Sequence, residues 1–163
     1  MSDVQFSPQR LDEILTLVKR YPKAQSAILP VLHMAMEDFG HLSIPTQQLV
    51  ADTLGVRLMM VREVVTFYTM YREKPCGRNL LEVCTNAGCM LNGADELLAK
   101  LCEKLKIQPG ETTDDDMFSV IEVECLGACG GAPIVQINGD YHENVTEHHL
   151  DDVIAKGRTH DPI

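Results

Sequence analysis

The chain has 163 residues, which is enough for one ordinary domain or two small ones. Its apolar fraction of 45% excludes wholesale disorder, and the sequence contains no apolar run of about 18 residues that would form a membrane-spanning helix. The net charge of −10 arises entirely in residues 78–163, which hold sixteen acidic and six basic residues. Because such a charge repels nucleic-acid phosphates and anionic lipids, we expect neither nucleic acid nor a membrane surface as a direct partner.

The first residues are not expected to form a secretory signal. Residues 1–6 contain neither the basic stretch nor the apolar core of a secretory signal, so we expect a cytoplasmic protein. Six cysteines in that reducing compartment are not expected to form structural disulfides. They are therefore candidates for metal or redox chemistry.

Four helices are predicted in the first half of the chain. Ser7 before Pro8 is typical of a helix start, and Gly40 and Gly55 are typical of helix ends. The helices are expected at about residues 8–20, 26–39, 45–54 and 58–71. The apolar stripe of the first helix consists of Leu11, Ile14, Leu15 and Val18. The side chains that could either dock a partner or pack in the core are Phe67, Tyr68, Met70 and Tyr71.

The periodicity changes after a Pro-Cys-Gly breaker in the middle of the chain. Short apolar or alternating runs predict strands at residues 80–83, 118–123, 134–137 and 140–142. A helix with an apolar face in residues 97–105 follows the first strand, and a last helix is expected after Thr146 and closed by Gly157. The order β-α-β-β-β-α predicts an α+β protein, with a helical domain in residues 1–74 and a second domain in residues 75–163.

Two pairs of cysteines each follow a predicted strand. Cys84 and Cys89 have a C-x4-C spacing, and Cys125 and Cys129 have a C-x3-C spacing. Loops after strands can direct thiolates and backbone N–H groups at one centre, and nearby glycines allow the main chain to approach that centre closely. Hydrogen bonds from such N–H groups stabilise thiolate charge.

Four thiolates in one site indicate either zinc or an iron–sulfur cluster. Structural zinc sites favour C-x2-C pairs, which this sequence lacks, whereas a wider C-x4-C loop suits a binuclear iron cluster. The iron–sulfur interpretation is therefore favoured, with structural zinc and unligated thiols as the alternatives. Cys102 is interpreted as a small buried core residue, and Cys76 as a spare thiol between the two halves, with a reserve ligand as the alternative.

The two cysteine stretches resemble those of a known family. Residues 84–93 read CTNAGCMLNG and residues 124–133 read ECLGACGGAP. This pattern is similar to that of the small [2Fe–2S] subunit of NADH:quinone oxidoreductases, the E-type subunit of bacterial complex I. The resemblance covers nearly the whole chain, because residues 21–33, YPKAQSAILPVLH, and residues 64–70, VVTFYTM, look like the helical N-terminal domain of that family.

The resemblance implies a thioredoxin-like [2Fe–2S] ferredoxin domain behind an N-terminal helical bundle, with the family's ligands at Cys84, Cys89, Cys125 and Cys129. It implies a one-electron carrier that docks on a larger flavoprotein, and this partner binds FMN and NADH. It also implies a cytoplasmic location, peripheral on the inner face of the cell membrane through the complex. The alternative is the equivalent diaphorase subunit of an NAD(P)-linked hydrogenase or formate dehydrogenase.

No catalytic constellation is found in the sequence itself. It has no glycine-rich dinucleotide motif after a strand and no Walker A motif, so we expect the nicotinamide and the flavin to bind elsewhere. Enzyme activity is accordingly expected of the assembly and not of this chain alone.

A regulatory alternative comes from residues 49–64, whose pattern resembles a helix-turn-helix. Joined to an iron–sulfur module, such a unit would form a redox-sensing transcription factor. Its second helix offers only Arg57 and Arg62, offset by Glu63, whereas DNA recognition requires basic charge. We therefore expect these two helices to be a packing device.

Overall fold

The computed structural model describes residues 4–159, which form two compact units with the boundary between Pro75 and Cys76. The first unit is built from helices, and the second combines helices with a four-stranded sheet. Within the described residues, no helix is both long and apolar enough to cross a membrane.

The helical unit begins and ends its helices largely where the sequence predicts. Ser7 accepts a hydrogen bond from the N–H of Arg10 at 3.1 Å, which satisfies one free donor at the start of the first helix. Gly40 and Gly55 adopt the left-handed conformation that ends a helix without a Cβ clash. The elements are α1 (Pro8–Val18), a 3-10 turn (Ala24–Ala27), α2 (Ile28–Phe39), α3 (Ile44–Leu54) and α4 (Leu58–Phe67).

The predicted end of the fourth helix is wrong, and the apolar stripe of the first helix is only partly buried. In α1 only Ile14 is fully buried, whereas Leu11 and Leu15 are exposed, because a helix on the outside of a small bundle buries a narrow strip and leaves the rest of its apolar surface in water. α4 ends at Phe67, earlier than predicted, since Tyr68 adopts an extended conformation with φ −91° and ψ 113°.

The aromatic segment after α4 divides between core and surface. Tyr71 is buried, and its hydroxyl donates a hydrogen bond to the carbonyl of Leu29 on α2 at 2.9 Å. Phe67 is 76% exposed, and Met70 is also exposed. The segment therefore anchors itself to the helical core through Tyr71 and presents its other apolar side chains to solvent.

The helix-turn-helix pattern corresponds to α3 and α4, which pack against each other. Val50 and Ala51 on α3 and Val61 on α4 are fully buried at their contact with the core. Arg62 on α4 forms an ion pair with the carboxylate of Glu73 at 3.4 Å, so part of the basic charge of this pattern is neutralised.

The second unit has the predicted order β-α-β-β-β-α, with one refinement. The helical region after the first strand is two helices, because Gly93 adopts a left-handed conformation with φ +87° between them. The sheet order is β2-β1-β3-β4. The elements are β1 (Asn79–Cys84), α5 (Ala87–Leu91), α6 (Ala94–Leu105), β2 (Phe118–Val123), a 3-10 turn (Cys129–Gly131), β3 (Val135–Ile137), β4 (Asp140–His142), a 3-10 turn (Glu147–His149) and α7 (Leu150–Thr159).

Strand direction brings the two cysteine loops to one edge of the sheet. β1 and β2 are parallel, and Cys84 at the end of β1 lies opposite Val123 at the end of β2. β3 runs antiparallel to β1, and β4 runs antiparallel to β3. Because the carboxyl ends of parallel strands share an edge, the loops that follow β1 and β2 leave the sheet side by side.

The core of the second unit surrounds Phe118, which is completely buried. A Cβ on Gly157 would lie 2.7 Å from Cε1 of Phe118, so the glycine allows α7 to approach the ring. The prediction that Gly157 closes the last helix is therefore wrong, since α7 continues to Thr159. Cys102 is buried in this core as predicted, and burial raises the pKa of its thiol.

Candidate metal centre

A short turn carries the chain from Cys84 to Cys89. Cys84 is the last residue of β1, and Asn86 begins α5 by accepting a hydrogen bond from the N–H of Ala87 at 2.7 Å. Cys89 lies in the first turn of α5. Both cysteines are 2% exposed, and the thiol of Cys89 donates a hydrogen bond to the sulfur of Cys84.

The surroundings of these two sulfurs favour a thiolate at Cys84 over one at Cys89. Burial acts to raise the pKa of Cys84, but the N–H groups of Asn86 and Leu126 and the thiol of Cys89 donate hydrogen bonds to its sulfur and hold the pKa below its ordinary value. Burial raises the pKa of Cys89, and the hydrogen bond to Cys84 and the nearby Cys129 raise it further. Two backbone N–H groups act to lower the pKa of Cys84, whereas one, that of Ile134, acts to lower the pKa of Cys89, so backbone donors favour the thiolate at Cys84.

The loop after β2 carries the second pair. Cys125 is exposed, and its sulfur accepts a hydrogen bond from the N–H of Gly127 at 3.3 Å. Gly127 has φ +73°, a conformation that residues with a Cβ rarely adopt. Cys129, which is also exposed, begins a 3-10 turn that the N–H of Gly131 closes by donating to the carbonyl of Ala128 at 3.0 Å.

Contacts between the loops bring Cys129 of the second loop beside the turn that carries Cys84 and Cys89. The N–H of Leu126 in the second loop donates to the sulfur of Cys84 in the first. A Cβ on Gly88 would lie 3.9 Å from Sγ of Cys129, so the missing side chain leaves the space beside that sulfur open. Cys89 follows Gly88 directly, so Cys129 lies beside the turn that carries Cys89.

The fourth predicted ligand, Cys125, lies four residues before Cys129 in the same loop. Its sulfur is hydrogen-bonded to Gly127 within that loop. In residues 4–159, no three His, Cys, Asp or Glu side chains stand close enough together to hold a metal ion. The structure places all four cysteines on two adjoining loops, with Cys84 beside Cys89 and Cys129 beside Gly88, but it does not bring three of them to metal-binding distance.

The β3–β4 hairpin and the residues after it support the second loop. The hydroxyl of Tyr141 on β4 donates to the carbonyl of Leu126 at 2.9 Å. The N–H of Asn144 donates to the carbonyl of Gly131 at 2.6 Å, and a Cβ on Gly131 would lie 2.6 Å from Cδ of Glu143. The turn that begins at Cys129 is thus fixed by residues distant in sequence.

Sequence reasoning missed the supporting residues Tyr141 and Glu143. The hairpin that contains Tyr141 is correctly predicted, but its register does not reveal which loop the side chain reaches. Cys102 belongs to the core around Phe118, whereas Cys84 and Cys89 belong to a separate buried cluster.

Residues 14–158 match the family model described as thioredoxin-like [2Fe–2S] ferredoxin. The chain belongs to this family. Its cofactor is accordingly a [2Fe–2S] cluster, and the predicted fold class is confirmed: helices first, then a thioredoxin-like ferredoxin domain.

Curated relatives confirm the resemblance found in the sequence. The E-type subunit of NADH-quinone oxidoreductase from Rickettsia bellii (strain RML369-C) is 42% identical over 161 residues, which cover 97% of this chain and 96% of the relative. The second E-type subunit of NADH-quinone oxidoreductase from Rhizobium meliloti (strain 1021) is 44% identical over 147 residues, which cover 90% of this chain and 88% of the relative.

Among solved structures, a chain of an NAD+-reducing [NiFe]-hydrogenase in the air-oxidized state is similar, with a TM-score of 0.69 at 23% identity. The match covers 81% of this chain but 23% of the hydrogenase chain. This likeness therefore concerns the fold.

The residues of the two loops fit a [2Fe–2S] cluster. Four cysteine sulfurs are the donor set that such a cluster takes from a protein. Hydrogen bonds from the N–H groups of Asn86 and Leu126 hold the pKa of Cys84 below its ordinary value, and the N–H of Gly127 donates to the sulfur of Cys125, so both loops supply backbone donors to sulfur. The donor chemistry and the backbone donors both suit the family's cofactor.

Proposed function

We propose that Cys84, Cys89, Cys125 and Cys129 bind the [2Fe–2S] cluster and that the chain is the one-electron carrier of an NADH:quinone oxidoreductase. The observation that carries this proposal is the meeting of the two cysteine loops at one edge of the sheet, where Gly88 leaves space beside Sγ of Cys129. When bound, the cluster accepts and releases single electrons. The protein around it sets where those electrons enter and leave.

The four sulfurs divide into a buried and an exposed pair, and this division defines an electron-transfer face. Cys84 and Cys89 lie inside the domain, whereas Cys125 and Cys129 are exposed. The two residues after Cys89, Met90 and Leu91, are also exposed and form a small apolar patch on α5. A redox partner is therefore expected to approach from the side of the exposed cysteines.

The partner that we propose is a larger flavoprotein that binds FMN and NADH. The support comes from relatives that are 42% and 44% identical and are named as E-type subunits of NADH-quinone oxidoreductase. In this proposal, residues 1–74 form the helical domain and residues 75–163 the ferredoxin domain. The assembly holds the chain peripherally on the inner face of the cell membrane, and the flavoprotein carries out the chemistry on NADH.

Replacing each cysteine tests the ligand assignment. The full chain is purified anaerobically, and iron, sulfide and zinc are measured together with the visible and EPR spectra. We expect two irons and two sulfides per chain, and we expect serine at any of the four proposed positions to abolish the native spectrum. Cys76→Ser and Cys102→Ala are the controls and should keep it. Zinc in place of iron, or an intact spectrum in a ligand variant, would contradict the assignment.

The partner is tested separately, by co-expressing the chain with the FMN-binding flavoprotein from the same organism. We expect the two proteins to purify together at a constant ratio. A flavoprotein that consistently separates from a chain with a full cluster would contradict the proposed assembly and leave the ligand assignment standing.

A further inference from the structure

One peptide unit in the second cysteine loop is held from both sides. The carbonyl of Leu126 accepts a hydrogen bond from the hydroxyl of Tyr141 at 2.9 Å. The N–H of Gly127, which belongs to the same peptide bond, donates to Sγ of Cys125 at 3.3 Å. Because the peptide bond is planar and trans, its carbonyl and its N–H point in opposite directions. Fixing the carbonyl therefore also directs the N–H at the sulfur.

This peptide unit needs an anchor from outside the loop. Gly127 has φ +73°, and among the described residues nothing lies within 4 Å of the position that a Cβ on it would occupy. A glycine without neighbours has wide conformational freedom. Tyr141 supplies the anchor from β4, where it pairs with Gln136 of β3 and is therefore held by the sheet.

We propose that Tyr141 is a positioning residue that raises the reduction potential of the cluster through the peptide between Leu126 and Gly127. This inference rests on the proposed function, because it requires Cys125 to be a ligand. Reduction increases the negative charge on the sulfur ligands, and an N–H donor stabilises that charge. A hydrogen bond to the carbonyl polarises the peptide and strengthens its N–H as a donor. Loss of the hydroxyl thus disfavours the reduced state.

Tyr141→Phe tests the proposal, since it removes the hydroxyl and keeps the ring. In a redox titration of the full, cluster-loaded chain followed by EPR, we expect the equilibrium constant for one-electron reduction to fall about three- to fivefold, which is a midpoint more negative by about 30 to 40 mV. The EPR signal arises only from loaded molecules, so the midpoint can be read even if the variant holds less cluster.

Gln136→Met is the matched control in the same hairpin. Gln136 donates from its side chain to the carbonyl of Gly139 at 3.0 Å, so its replacement removes a side-chain hydrogen bond within the hairpin and leaves the main-chain pairing of Gln136 with Tyr141 in place. We expect the wild-type midpoint in this variant. An unchanged midpoint in Tyr141→Phe, or an equal shift in both variants, overturns the role of Tyr141 and leaves the proposed function standing. A wild-type chain that binds no [2Fe–2S] cluster overturns both.

Discussion

Gly130 and Gly131 are neighbours in the turn that begins at Cys129, and the same substitution meets different surroundings at each. A Cβ on Gly131 would lie 2.6 Å from Cδ and Oε2 of Glu143 and 2.7 Å from its Cβ. A Cβ on Gly130 would meet nothing within 4 Å. Neither glycine has a positive φ, so the two variants differ chiefly in this contact. Alanine at Gly131 requires either Glu143 or the turn itself to move.

We expect Gly131→Ala to destabilise the turn by about 1 to 3 kcal/mol, the usual cost of forcing extra atoms into a close contact. Alanine also restricts the unfolded chain, but by a similar amount in both variants, so the difference between them reports the contact. The difference corresponds to about 5- to 150-fold faster loss of the cluster to an iron chelator. The decay of visible absorbance measures this rate.

Two further variants complete the test. Gly130→Ala is expected to stay within about twofold of the wild-type rate, as is usual for an open surface position. Adding Glu143→Gly to Gly131→Ala removes the contacting side chain and is expected to restore most of the stability. Equal rates of cluster loss for Gly130→Ala and Gly131→Ala would refute the view that the approach of Glu143 fixes the turn.

The remaining predictions concern the two cores. Burial raises the pKa of Tyr71 to about 12, so the folded state favours its neutral phenol. This preference stabilises the folded state fully below about pH 10, and the stabilisation is lost as the pH rises from about 10 to 12. Tyr71→Phe should lack this loss when alkaline unfolding is followed by circular dichroism. A variant with the same pH profile as the wild type would contradict this role of Tyr71. Gly157→Ala crowds the ring of Phe118, although alanine favours the helix by up to about 1 kcal/mol. We expect the crowding to prevail, so that the free energy of unfolding, measured by thermal unfolding, falls by about 1 kcal/mol. An unfolding temperature above that of the wild type would count against this packing.

Local signals predicted the parts of the fold that depend on a few neighbouring residues. Ser7 caps a helix through an N–H three residues away, and Gly40 and Gly55 end helices through their own backbone conformation. The cysteine loops were found for a similar reason, because each follows a short strand whose pattern is visible in the sequence. Parallel pairing of β1 with β2 then placed the loops together, as the predicted fold requires.

Contacts between distant residues could not be predicted in this way. Tyr141 and Leu126 are fifteen residues apart, and their hydrogen bond depends on both the hairpin register and the path of a loop. Glycine is a residue type that often ends a helix, but the missing side chain of Gly157 instead leaves room for the ring of Phe118 on β2. In α1, helical spacing identified an apolar stripe but not how much of it the rest of the unit covers.

The parallel pairing of β1 and β2 also places the cysteine loops and the chain connection that enters β2 at opposite ends of the two strands. That connection reaches the sheet at Phe118, opposite Asn79, and β1 spans about 16 Å from Asn79 to Cys84. The acidic turn at residues 114–116 is exposed at this far end. A peptide handle inserted there would tether the protein to an electrode with its sulfurs directed away from the attachment point. The protein can therefore be attached through this turn, at the end of the strands opposite the cysteine loops.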